Sequence, residues 1–276
     1  MSDADTTKDQ SEADRPMLGK LLHNGVQRIV MQRPERMNAL SMTMMKELCA
    51  ALDEASANPE VRVVLIGAEG KVFCAGHDLK ELTAARAEAD GGKAFYQQTF
   101  NQCAELMQKI VNLPKPVIAV VTGVATAAGC QLVASCDLAL ALDTATFCTP
   151  GVNIGLFCST PMVALTRNIG RKQAMEMLLT GESIDASTAK DYGLINRVVQ
   201  ADYLEVVVQK YAEVIASKSA LTVKTGKEAF YKQADMPLAE AYAYTSKVMA
   251  ENMLANDAEE GINAFLQKRT PDWKDC

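Results

Sequence analysis

The chain is poor in several groups that particular chemistries require. It has two histidines, His23 and His77, in 276 residues, one tryptophan, and an aromatic content of 5%. Its eight cysteines form no C-x-x-C pair, so a Cys/His cluster is not expected and no metal is assigned. Basic side chains number 28 against 34 acidic ones, a net charge of −6. That balance argues against a nucleic-acid partner, because tracking phosphates takes clustered Lys and Arg. No apolar run approaches a membrane span, and the longest candidate, Val117–Val121, is strand-sized. Internal repeats, low-complexity segments and flexible linkers are also missing, which excludes solenoids. The opening residues lack the basic start and apolar run of a secretory signal, and the Arg-rich character of a mitochondrial presequence. The expectation is a disordered acidic tail over residues 1–16 on a soluble, cytoplasmic protein.

What is present suits a single large folded unit. Apolar residues make up 49% and charged residues 22% of the chain, enough for a buried core. The cysteines sit mostly in apolar surroundings and read as buried free thiols. Short β-rich runs alternate with helical patterns up to about residue 200. Val26–Met31 follows the turn-forming Asn24-Gly25, and residues 61–66 and Val117–Val121 are compact strands stopped near Gly67 and Gly123. A helix capped by Ser41 carries Met45, Leu48, Cys49 and Leu52 on one face, and a second over Lys93–Asn112 ends before Pro114 and Pro116. Near-continuous apolar strands alternating with helices predict an α/β fold whose sheet is covered on both sides. After Arg197–Val199 the strands stop. Asp202 with Glu205, and Asp257 with Glu260, have capping-box spacing, and residues 221–233 and 238–254 are helical in pattern. The expected organisation is an α/β core over 17–200 and a helical region over 201–276 that packs on the core or on a neighbouring subunit.

Two segments can carry chemistry. In Phe73-Cys74-Ala75-Gly76-His77-Asp78-Leu79-Lys80, a strand leads through a glycine turn into a helix that Asp78 can cap. In the segment from Thr122-Gly123 to Gln131-Leu132, a buried strand runs through small residues into a helix beginning near Ala128. Exposed N–H groups at such turns can bind an anionic oxygen. Each alone also fits a plain strand–helix connection or tight helix–sheet packing; together they can aim two amides at one oxygen.

These segments belong to a longer ordered set. The set comprises residues 33–40 (RPERMNAL), 75–79 (AGHDL), 123–136, 174–181 (AMEMLLTG), 192–195 (YGLI) and 260–269 (EGINAFLQKR). In that order and spacing the chain resembles the enoyl-CoA hydratase/isomerase (crotonase) superfamily. The resemblance implies a crotonase-like spiral of ββα units with a C-terminal helical trimerisation region, assembled as a homotrimer or a dimer of trimers. It implies acyl-CoA as substrate or ligand, with no resident cofactor, and a thioester oxygen held between the backbone amides of His77 and Ala128. It places Met37, Ala39, Ala75, Asp78, Leu79 and Lys80 along the path of CoA. Phe265 and Lys268 fall at its adenine or phosphate end, often from the next subunit. Lys80 and Lys268 equally fit ordinary solvated lysines.

The chain departs from the family at the two positions where hydratases carry glutamates, which here are Gln131 and Gly151. A carboxamide can orient a water but cannot take its proton. Ordinary hydration is therefore expected to be weak or absent, while enolate stabilisation survives. Two alternatives stay open. One is a malonyl-type acyl-CoA decarboxylase, which needs no base and can draw a proton from solvent or from the hydroxyl of Thr149, Ser159 or Thr160. The other is a non-catalytic acyl-CoA binding or assembly protein. His77 is expected to act through its backbone more than its ring, and Cys130, with no His predicted beside it, is a poor nucleophile.

Overall fold

A computed structural model describes residues 16–276, so all but the last residue of the expected acidic tail lies outside the described residues. The chain opens with a hairpin, β1 (Leu18–His23) and β2 (Val26–Met31), and continues through helix α1 (Met42–Ala57) to strands β3 (Val63–Ala68) and β4 (Val72–Cys74). Helices α2 (Leu79–Ala84) and α3 (Lys93–Asn112) lead to β5 (Val117–Val121) and β6 (Val124–Thr126). Helix α4 (Ala128–Ser135) then leads to β7 (Leu138–Leu142) and β8 (Thr146–Cys148). Helices α5 (Pro161–Asn168), α6 (Arg171–Thr180) and α7 (Ala186–Tyr192) follow, with β9 (Ile184–Asp185) before α7 and β10 (Arg197–Val199) after it. The rest is helical: α8 (Ala201–Ala216), α9 (Ala220–Ala234), α10 (Leu238–Met253) and α11 (Asn256–Gln267). Among the described residues no helix is long and apolar enough to cross a membrane.

The strands divide between two sheets, β1-β2-β3-β5-β7-β10 and β4-β6-β8-β9. The division follows a repeated unit: β3, β5 and β7 each join the larger sheet, and the strand after each (β4, β6, β8) joins the smaller one. Within both sets pairing is parallel. This is the spiral of ββα units, and it is an α/β fold. The larger sheet is covered on both faces, as its continuous apolar strands require. Alternate residues point to opposite sides: Val63, Leu65, Ile118 and Leu140 pack on Leu204, Val208 and Ala212 of α8, while Val64, Ile66 and Ala119 face α1 and α3.

Local signals explain most element ends. The Ser41 hydroxyl accepts the Met44 N–H at the start of α1. The strand expected over residues 61–66 instead begins at Val63, because the N–H groups of Arg62 and Val63 both turn onto the Gly25 carbonyl and that of Val61 onto Asn58. Neither expected capping box forms. Asp202 lies inside the first turn of α8, behind Gln200 as the cap. Asp257 lies inside α11, and its buried carboxylate accepts the N–H groups of Lys274 and Asp275 at 2.7 and 2.9 Å. That bond ties down a C-terminal strap, which also pairs Asp275 with Arg62 and sends the Trp273 indole N–H to the Ser217 carbonyl.

One polar anchor fastens α9 to the core. Lys227 Nζ donates to Asp137 Oδ2 at 2.7 Å and to the carbonyls of Ile110 and Lys115. Asp137 also accepts the Tyr231 hydroxyl and the Val117 N–H. All of these groups are satisfied, so removing one charge strands the other. Lys227→Met is expected to destabilise the fold by about 3–5 kcal/mol, the usual cost of an uncompensated buried charge, read as a lowered urea midpoint.

Candidate functional site

The site grows from parallel pairing. Strands β4, β6 and β8 lie side by side in one direction, so their C-terminal ends open at one edge of the smaller sheet. The end of β4 carries Ala75-Gly76-His77-Asp78, the end of β6 carries Ala127-Ala128, and the end of β8 carries Thr149-Pro150-Gly151. The Ala127 N–H bonds the Cys148 carbonyl at 2.9 Å, which holds the second and third turns together. The first two turns touch: a Cβ added to Gly76 (φ +85°) would stand 3.2 Å from the Ala128 nitrogen. At Gly129 a Cβ would overlap the Cys74 carbonyl, so only glycine lets α4 approach the end of β4 this closely. Ala127 itself is held at φ 51°, ψ −118°, a conformation an L-residue keeps only when its surroundings impose it.

The N–H groups of His77 and Ala128 have no hydrogen-bond partner among the described residues, and that of Ala128 opens α4, where the helix dipole favours negative charge. Residues 37–40 are zipped onto the same turn, with Ala75 N–H bonding the Met37 carbonyl at 3.0 Å and Leu40 N–H bonding the Gly76 carbonyl at 2.7 Å. Asn38 braces this segment, accepting the Arg33 N–H and donating to the carbonyls of Glu69 and Val72. Met37, Ala39, Ala75, Asp78, Leu79 and Lys80 are thereby drawn into one region of the chain. Met37 and Leu79 are both exposed apolar side chains, and Lys80 is exposed with no partner among the described residues. The Asp78 carboxylate is engaged, capping α2 through the N–H groups of Lys80 and Glu81.

At Gln131 and Gly151, where the family resemblance led glutamates to be expected, the surroundings differ. Gln131 is buried, and its Oε1 lies 3.8 Å from the Cys103 thiol. Beside it a cavity of about 1120 Å³ opens between the ends of α3 and α4, α5 and α9, with Met107, Val111, Val163 and Phe230 in its wall. Gly151 has no such room. A Cβ there would meet the Cys158 sulfur and the Leu156 carbonyl oxygen, each at 2.9 Å. Cys158 thus fills the ground in front of Gly151, a contact invisible in the sequence because the loop of residues 155–158 folds back onto it. Among the described residues the only carboxylate in the buried set is Asp257, which serves the C-terminal strap.

The remaining polar groups are strained for partners. The two ring nitrogens of His77 and the hydroxyls of Thr149 and Thr122 are buried without a hydrogen bond. The His77 ring stands edge-on to Phe100 of α3, centroids 5.3 Å apart. Burial holds its pKa below the ordinary value, opposed more weakly by the Leu40 carbonyl, so the ring is neutral near pH 7. Burial also raises the Cys74 and Cys103 thiols to about 12 and drives Cys130 up further, which keeps all three protonated. Phe265 and Lys268 stand apart from these turns. Helix α11 packs on α10 and its strap runs to Arg62 just before β3, and both side chains are exposed, with no partner among the described residues.

Fold and site together define a class, and comparison with known proteins agrees. Residues 22–276 match the enoyl-CoA hydratase/isomerase family, and the chain belongs to it. It is 48% identical over 250 residues to the enoyl-CoA hydratase domain-containing protein 3, mitochondrial, of Rattus norvegicus, covering 91% of this chain and 82% of the relative. A crystal structure of human enoyl coenzyme A hydratase domain-containing protein 3 superposes with a TM-score of 0.89 at 46% identity, covering 94% of this chain and all of the other (100%). An enoyl-CoA hydratase from Bacillus anthracis superposes with a TM-score of 0.88 at 30% identity, covering 95% and 100%. The expectation of a cytoplasmic protein is corrected by these relatives, several of which are mitochondrial by name. That expectation rested on an acidic opening segment, whose composition does not decide the compartment.

Two outcomes follow from this geometry. Gly129→Ala forces α4 away from Cys74, and a clear fall in thermal midpoint is expected, since overpacking costs about 1–3 kcal/mol. The unfolded chain takes up a proton at residue 77 near pH 6.5 while the folded ring resists it, so stability falls as pH drops through that value. Urea midpoints measured from pH 7.5 to 5.5 are expected to decline more steeply for the wild type than for His77→Phe.

Proposed function

We propose that the chain binds an acyl-CoA thioester and stabilises its enolate through the main-chain N–H groups of His77 and Ala128, with little ordinary hydration. The observation that carries this reading is the pair of unpartnered donors on adjoining strand ends, one at a helix N-terminus. An oxyanion bound there takes up charge where fixed dipoles are already oriented. The CoA moiety follows Met37, Ala39, Ala75, Leu79 and Lys80, while Asp78 contributes by capping the helix that carries them. The acyl chain enters the cavity beside Gln131. The thioester is substrate or ligand, and the chemistry asks for no resident cofactor.

Gln131 and Gly151 stand where hydratases hold their acid and base. A positioned proton-transfer group contributes about 10²–10⁴-fold, and an oxyanion donor about 10²–10³-fold. Losing the former while keeping the latter leaves enolate formation by loss of CO₂ within reach, because that step needs no base. A carboxamide at Gln131 and no side chain at Gly151 favour this malonyl-type decarboxylase reading as the second choice. A binding protein without turnover is the third.

Assembly as a homotrimer, or a dimer of trimers, completes the site. Leu238, Tyr242, Leu254, Phe265 and Leu266 are 68–86% exposed in the isolated chain, more apolar surface than scattered single residues account for. Such a surface supports contact with another subunit, which would bring Phe265 and Lys268 to a neighbour's CoA. No nucleic acid or membrane enters this reading.

Two measurements test it. Butyryl-CoA is expected to bind more tightly than its S-butyl thioether, which lacks the carbonyl, by the worth of two hydrogen bonds, about 1–3 kcal/mol; equal affinities by calorimetry would remove the oxyanion site. Crotonyl-CoA hydration is expected to be slow in the wild type and to rise at least tenfold in Gln131→Glu. Gly151→Glu is no companion test, because its Cβ collides with the Leu156 carbonyl oxygen as well as the Cys158 thiol. An acyl-CoA panel that includes malonyl-CoA, followed by mass spectrometry, separates decarboxylation from binding alone.

A further inference from the structure

Each of the two donors proposed for the thioester oxygen is one end of a peptide unit, and the other end of each unit is already bonded. The Ala127 carbonyl, on the peptide that carries the Ala128 N–H, accepts the Gln131 N–H at 3.1 Å, the ordinary first bond of α4. The Gly76 carbonyl, on the peptide that carries the His77 N–H, accepts the Leu40 N–H at 2.7 Å. In a planar trans peptide the carbonyl and the N–H point in opposite directions. A bond on the carbonyl therefore fixes the plane in which the N–H lies, and it polarises the unit so that the N–H donates more strongly. Helix α4 backs its own donor. His77 precedes α2, whose cap is Asp78, so its donor has no helix behind it and depends on Leu40.

Asn38 holds Leu40 in place. Its side chain is fully buried, with Oδ1 accepting the Arg33 N–H at 2.9 Å. Nδ2 donates to the carbonyls of Glu69 and Val72 at 2.9 and 2.8 Å, so both amide protons are spent on the turn between β3 and β4. The neighbouring Met37 carbonyl accepts the Ala75 N–H at 3.0 Å. Strand β4 is thus gripped at its start by the Asn38 side chain and just past its end by the main chain around it. Met37 and Asn38 are both left-handed, at φ 52° and 49°. Asn accepts that conformation and Met does not favour it, so the bonds of Asn38 have to hold the pair.

We infer that Asn38 is a positioning residue for the oxyanion site: it presses residues 37–40 onto the end of β4, and through the Leu40 N–H it sets the direction and donor strength of the His77 main-chain N–H. The inference rests on the acyl-CoA reading. The action is indirect, since both ends of the carboxamide are engaged within the fold.

The test uses the full chain with butyryl-CoA and its S-butyl thioether as probes. Asn38→Gly keeps a residue at home in the left-handed region and removes the side-chain bonds. Calorimetry is expected to show the wild type's preference for the thioester over the thioether fall about 3- to 10-fold in this variant, the worth of one hydrogen bond. Asn196→Gly frees the Ala139 N–H of β7 in the larger sheet and serves as the comparison. Its urea midpoint is expected to fall while its preference stays at the wild-type value. Infrared spectra of butyryl-CoA carrying ¹³C at the carbonyl supply a signature that loss of stability alone would not move. The bound thioester stretch is expected to lie below its solution position in the wild type and to return toward it in Asn38→Gly. In wild-type protein labelled with ¹⁵N-leucine, the Leu40 amide proton is expected to move downfield with butyryl-CoA and to stay in place with the thioether. Charge drawn to the His77 N–H strengthens the bond at the far side of the same peptide. The inference is overturned by a preference or a stretch that survives Asn38→Gly, by an equal loss of preference in Asn196→Gly, or by a Leu40 signal that does not distinguish the probes. Should Asn38→Gly not fold, the Leu40 signal decides. A wild type that binds thioester and thioether alike refutes the underlying reading. A wild type that prefers the thioester, with that preference intact in Asn38→Gly, refutes this inference alone.

Discussion

Everything at the site depends on the parallel alignment of three short strands. β4, β6 and β8 contribute three residues each to the smaller sheet, too few to be stable alone. They are held because the preceding strand of each unit is locked into the larger, doubly covered sheet. With the strand directions fixed in this way, their ends come to one edge, and the Asn38 side chain braces β4 there through the Val72 carbonyl. Two glycines then decide the spacing: Gly76 supplies the turn and Gly129 the close approach. The amides of His77 and Ala128 are consequences of backbone geometry, which is why the side chains around them are free to vary.

That freedom shows in what surrounds the amides. Gln131 of α4 sets a carboxamide against Cys103 of α3, and the loop of residues 155–158 closes over Gly151 with the Cys158 sulfur. The two positions are therefore unlike. One retains a polar group and opens on a cavity, while the other has been built over. A carboxylate returned to the first finds room, whereas the second requires the loop to be rebuilt. The cavity beside Gln131 carries charged side chains in its wall, Asp137, Arg167, Lys224 and Lys227 among them, while the Cys103 thiol against Gln131 stays protonated.

Much of the architecture was legible from residue order. Val117–Val121 and Lys93–Asn112 appear at the expected bounds, and Ser41 caps the helix it was expected to cap. Their signals are local: apolar runs, proline stops and a hydroxyl beside free N–H groups. The misreadings came where partners lie far away in sequence. Asp257 has the spacing of a capping box, yet its carboxylate is claimed by a segment seventeen and eighteen residues downstream. Residues 61 and 62 have the composition of a strand, but the hairpin turn at Gly25 captures the local N–H groups first. At the site, the two glycine turns and their adjoining ends were legible from strand, glycine and helix-start signals. The contact of Cys158 with Gly151 and the edge-on Phe100 beside His77 needed coordinates, whereas the Asp78 cap was legible in the sequence.

The strap at the end of the chain has a further consequence. Because Asp257 holds the final residues and Asp275 reaches Arg62, the last helix and the entry to β3 of the central sheet are stitched by a single thread. Force applied to the outer helices by a neighbouring molecule would be transmitted along that seam to the threshold of β3. The carboxyl end is a hem rather than a loose fringe.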